Sequence, residues 1–70
     1  MIVLNSAKKI GQFVRRVRLN EGISQEELAY KVNVSQTSLS RCERGKSQLA
    51  LSKMILNKMR ALNDFKKYLI

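Results

Sequence analysis

The stretch SQEELAYKVNVSQTSLSRCERGK, Ser24 to Lys46, contains two short helical signatures separated by a three-residue break. The first opens on a capping box. The Ser24 oxygen can accept from the amide three residues on, and Glu27 can reach back to the serine amide. Ile23 before the cap and Leu28 after it are placed for a hydrophobic staple. Leu28, Ala29 and Val32 then share a face, and the pattern breaks at Asn33. The second signature is capped by Ser35 and stopped by Gly45. Leu39 and Cys42 are its inward candidates. The other side carries Gln36, Thr37, Ser38, Ser40 and Arg41, with no acid before Glu43. A solvated helix normally mixes charges of both signs, so this short-chained, donor-rich face calls for a particular neighbour.

Outside that stretch the apolar spacing is helical throughout, and β-branched residues never alternate over a strand length. A first helix is predicted from a Ser6 cap to about Asn20, with Ile10, Phe13, Val14 and Val17 on one face. Gly11 lies inside it at a cost of about 1 kcal/mol relative to alanine. Arg15, Arg16 and Arg18 crowd its last turns, where the helix dipole favours cations, and Asn20-Glu21-Gly22 reads as a stop. A fourth helix is predicted from about Leu51 to Leu62, with Leu51, Ile55, Met59 and Leu62 on one stripe and Met54 beside it. A last short helix would be capped by Asn63, with Asp64 in its first turn. The expected fold is all-α: a compact four- to five-helix domain spanning residues 1–70, built around a core motif at 24–45.

Charge narrows the choice of partner. Fourteen Lys and Arg stand against five acids, a net charge of +9. A surplus of that size favours polyanions, although solubility alone could also use it. The chain has one cysteine and no histidine, which excludes an internal disulfide and a zinc finger. It also has no Cys–His pair and no spaced carboxylate pair, since Glu26 and Glu27 point apart on their helix. No enzyme chemistry, metal or cofactor is therefore expected. Met1–Leu4 is too short for a signal peptide and no run approaches a membrane span, so a soluble, cytoplasmic protein is expected.

Helices at Gln25–Val32 and Gln36–Arg44, joined by Asn33-Val34-Ser35 with Val34 at the corner, have helix-turn-helix spacing. Such a turn presents its second helix outward, and the DNA major groove, about 12 Å wide, admits one helix. Long acids on that face would meet phosphates. Short polar side chains instead let the backbone approach, while Gln and Arg reach base edges. The pattern S-Q-E-E-L-A-x-K-V-x-V-S-Q-x-S-L-S-R-x-E-R-G-K resembles the helix-turn-helix of the phage repressor/Cro family, also called the XRE family, whose fold is lambda-repressor-like.

The resemblance implies roles for particular residues. Gln25 would bind a phosphate. Gln36 and Thr37 would read bases, with Ser35 touching backbone or base and Arg41 reaching the groove one turn on. Arg44 and Lys46 match a backbone-contacting segment, and Ser38 and Ser40 are further phosphate candidates. Arg18 and Glu43 match a structural ion pair, and Cys42 reads as a small core residue. The chain departs from the family in the proline-free loop Ser47-Gln48-Leu49-Ala50, in Asn57 where an apolar residue is common, and in the unexplained apolar Met1–Leu4.

The expected function is a sequence-specific transcriptional regulator that binds double-stranded DNA as a homodimer on a palindromic operator. It would be a repressor of Cro, controller-protein or antitoxin type, with no small-molecule ligand and no membrane partner. Phe65, Tyr68 and Leu69 share a face that could form a dimer seam or simply close the core. The competing class is an antitoxin-like protein-interaction module. Salt dependence separates the two, because phosphate binding weakens steeply with log salt.

Overall fold

The computed structural model describes residues 5–68. Four α-helices, α1 (Ala7–Asn20), α2 (Gln25–Lys31), α3 (Gln36–Glu43) and α4 (Leu49–Arg60), are followed by a 3₁₀-helix at Asn63–Tyr68. The fold is all-helical, as expected, with α1 packed on α3 and α4, and α2 packed on α3. Among the described residues no helix is long and apolar enough to cross a membrane.

The first three helices start and stop by one local mechanism. Ser6, Ser24 and Ser35 each adopt an extended backbone conformation and accept from the amide three residues on, at 3.0–3.1 Å. An N-cap of this kind is worth about 1 kcal/mol. Each helix then ends on a left-handed residue: Gly22, Asn33 and Gly45 have φ of 70°, 59° and 72°. After each, an amide returns to a carbonyl five residues back: Ile23 to Arg18, Val34 to Ala29 and Lys46 to Arg41. These bonds satisfy carbonyls that a bare helix end would leave open. Val32 thus caps α2 rather than belonging to it, and Val34 sits half-buried against the core.

The core takes Ile10, Phe13, Val14 and Val17 from α1, Leu28, Ala29 and Val32 from the α2 region, and Leu39 and Cys42 from α3. Ile55, Leu56, Met59 and Phe65 complete it, and Ile23 packs at its edge. Gly11 is buried where α1 crosses α3. A Cβ there would lie 1.9 Å from the Cys42 carbonyl oxygen. The glycine that looked costly to the helix is therefore what allows the crossing.

Helix α4 departs from the sequence reading. It starts two residues earlier than predicted and ends at Arg60. Its buried stripe is Ser52, Ile55, Leu56 and Met59, whereas Met54 is exposed and Leu51 and Leu62 are only half-buried. Two physical reasons account for the shift. Gln48 occupies the N-cap position with no side-chain cap bond, so the start carries no sequence signal. Ser52 is wholly buried but shares a 2.8 Å hydrogen bond with Ser47, so a polar residue occupies a core position that apolar periodicity skips. Asn57 is exposed in this register.

The 3₁₀-helix docks on the end of α1. Phe65 enters the core at 1% exposure. The Tyr68 hydroxyl donates to Glu21 Oε2 and accepts from Asn20 Nδ2. Lys67 lies 3.1 Å from the same Glu21 oxygen and over the Tyr68 ring. The Tyr68 hydrogen bond, and after it the Lys67 contact, hold the Glu21 carboxyl below its ordinary range.

Candidate nucleic-acid interface

Leu39, Cys42 and Glu43 turn inward and anchor α3. Gln36, Thr37, Arg41 and Arg44 are exposed on its opposite side, with Ser38 and Ser40 half-buried along the margins. This is the face whose composition stood out in the sequence. Glu43, the only acid between Val32 and Lys46, is folded away from it. Its carboxylate accepts from Arg18 Nε at 2.8 Å and Nη2 at 3.0 Å, and its side chain is 2% exposed. A bidentate guanidinium–carboxylate pair is the geometry in which a buried acid is best compensated. The outward side of α3 is left with amide, hydroxyl and guanidinium groups.

The structure brings Gln25 of α2 alongside that face. Gln25, Gln36, Thr37, Ser40 and Arg44 line one shallow depression between the two helices. The Arg44 Nε donates to the Ser40 carbonyl at 3.4 Å, which steers the guanidinium along the helix. Lys46 is exposed just beyond Gly45. On the flank of α1, Gln12, Arg15, Arg16, Leu19 and Asn20 line a second depression together with Glu43. Lys8 and Lys9 are also exposed on α1.

Ser35 is committed locally. Its hydroxyl oxygen accepts from the Ser38 amide at 3.1 Å, and its proton goes to Ser38 Oγ at 2.9 Å. Phe65 is spent on the core, and Tyr68 on the α1 clasp. Leu69, the third member of that expected face, lies outside the described residues. Burial pushes the Cys42 thiol up, against the hydrogen bonds of Ser52 and Ser47. One contact had no sequence signal at all: Gln25 Nε2 donates to Glu43 Oε1 at 3.2 Å, across 18 residues.

Among the described residues no group of His, Cys, Asp and Glu could hold a metal ion. The arrangement is one for binding: a short helix with one exposed side, carried on a second one through a left-handed turn, presenting donors and cations. That defines the class of helix-turn-helix modules, which dock by laying the second helix in a groove of DNA. Residues 9–63 match the family model described as helix-turn-helix domain, and the chain belongs to that DNA-binding family. No curated protein and no solved structure matches the chain.

Proposed function

We propose that this protein is a sequence-specific transcriptional regulator of the phage repressor/Cro (XRE) type, binding a palindromic operator as a homodimer. The observation that carries the reading is the outward face of α3. Gln36, Thr37 and Arg41 are exposed there, and the one nearby acid is folded inward. Gln36 can pair bidentately with adenine and Arg41 with guanine, each worth roughly 1–3 kcal/mol of discrimination. Gln25, Arg44 and Lys46 take backbone phosphates, with Ser38 and Ser40 at the margin. Ser35 contributes through the cap that shapes the start of α3.

A reading helix of this length covers few base pairs. Two copies on half-sites about 34 Å apart double the contact and match a two-fold operator. Regulation then follows from the protein's own concentration, as in a Cro repressor, a controller protein or an antitoxin, and such a regulator works at the nucleoid in the cytoplasm. Fluorescence anisotropy of a labelled duplex at several salt concentrations tests the reading. Affinity should fall linearly in log salt, with a slope of about 0.9 per neutralised phosphate. A salt-independent affinity, or none, refutes it.

A further inference from the structure

Resting on that reading, we propose that Glu43 is a positioning residue for DNA. It fixes the Gln25 carboxamide so that an N–H, and not the carbonyl oxygen, faces the DNA backbone.

The argument begins with the network. Arg18 holds both Glu43 oxygens, through Nε at 2.8 Å and Nη2 at 3.0 Å. Its remaining nitrogen, Nη1, donates to the Ile23 carbonyl at 3.0 Å. One guanidinium therefore ties the end of α3 to the segment that leads into α2. Gln25 is the first residue of α2, and its Nε2 donates to Glu43 Oε1 at 3.2 Å. Glu43 Oε1 thus accepts from both Arg18 and Gln25.

Acceptor chemistry sets the orientation. An ionised carboxylate has no proton to offer, whereas a glutamine amide has a donor end and an acceptor end. Beside Glu43 only the donor end can turn inward. Nε2 carries two protons, and the second is left for the depression that Gln25 lines with Gln36, Thr37, Ser40 and Arg44. Gln25 is the only one of those five on α2, so its free N–H can take one phosphate by itself while Gln36 and Thr37 turn to the bases. Without an acceptor-only neighbour the carboxamide could flip and present its oxygen to the same phosphate, where it would be repelled.

This role has the opposite sign from bulk electrostatics. Removing the Glu43 charge makes a +9 chain more cationic, which by itself tightens DNA binding. Removing an orienting acceptor weakens binding at one phosphate. The test uses a duplex selected by the wild-type protein, in which single phosphates are replaced in turn by neutral methylphosphonates. In the wild type one such replacement should cost about tenfold in affinity, as loss of a charge-assisted hydrogen bond does. In Gln25→Ala and in Glu43→Gln the same replacement should cost less than about twofold.

If Glu43→Gln does not fold, Glu43→Asp keeps the charge, withdraws it by one methylene, and should show the same insensitivity. The Gln25 side-chain amide resonance should also lose its hydrogen-bonded shift in either variant. A Glu43 variant that remains sensitive to that phosphate, whatever its overall affinity, overturns the proposal and leaves the DNA-binding reading intact. A wild-type protein that selects no duplex overturns both.

Discussion

Replacing Gly11 by alanine sets two opposing effects against each other, and the structure decides between them. Helix propensity alone says that Gly11→Ala in the middle of α1 stabilises by about 1 kcal/mol. The crossing says otherwise. The new Cβ would lie 1.9 Å from the Cys42 carbonyl oxygen, 3.1 Å from its carbon and 3.3 Å from the Gly45 nitrogen. All three are backbone atoms and cannot rotate away. Ordinary contact begins near 3.4 Å, so α1 must back off α3 by more than an ångström. That shift opens the packing around Ile10 and Val14 and pulls at the Arg18–Glu43 pair.

Overpacking of this kind costs about 1–3 kcal/mol, and the disturbed ion pair adds to it. The net loss should be about 2 kcal/mol after the propensity gain. For a domain of this size each kcal/mol moves Tm by roughly 4–8 °C, so a thermal melt followed by circular dichroism should fall by about 10 °C. Gly22→Ala is the comparator. Its φ is +70° but nothing lies within 4 Å of the added Cβ, so it should lose only the left-handed strain, about 1 kcal/mol. A Gly11→Ala variant as stable as the wild type would refute the close crossing, and with it the placement of α3.

Three other perturbations test separate parts of the fold. The Glu21 carboxyl is held low by Tyr68 and Lys67, so the clasp contributes fully above the ordinary glutamate range and is lost as pH falls through the lowered value. Tyr68 ring resonances should move over that acidic interval in the wild type and not in Glu21→Gln. Cys42 is fully buried with its thiol pushed up, so alkylation at neutral pH should proceed only through opening and accelerate steeply in denaturant; rapid labelling of the native protein would contradict its placement. Lys46→Ala should weaken all duplexes alike and lower the salt slope by about 1, while a change in base preference would move Lys46 from phosphate to base.

The sequence announced the helices wherever capping chemistry is written in side chains. Ser6, Ser24 and Ser35 start three helices, and Gly22, Asn33 and Gly45 end them. Those signals are local, so they are legible without tertiary information. The start of α4 has no such signal, because Gln48 caps nothing. Its register was obscured by Ser52, a polar core residue whose partner Ser47 makes its burial tolerable. The outward face of α3 was legible as composition, and the pairing of Arg18 with Glu43 as a family likeness. The purpose of Gly11 and the Gln25–Glu43 contact depend on how α1, α2 and α3 meet. No one-dimensional pattern contains that.

Selection from random duplex with the wild type, Gln36→Ala and Arg41→Ala tests the central claim most directly. Each variant should keep the fold and the general affinity for duplex while losing preference at its own base position, a different one for each. Variants that select the wild-type sequence unchanged would contradict the claim that the exposed face of α3 reads DNA.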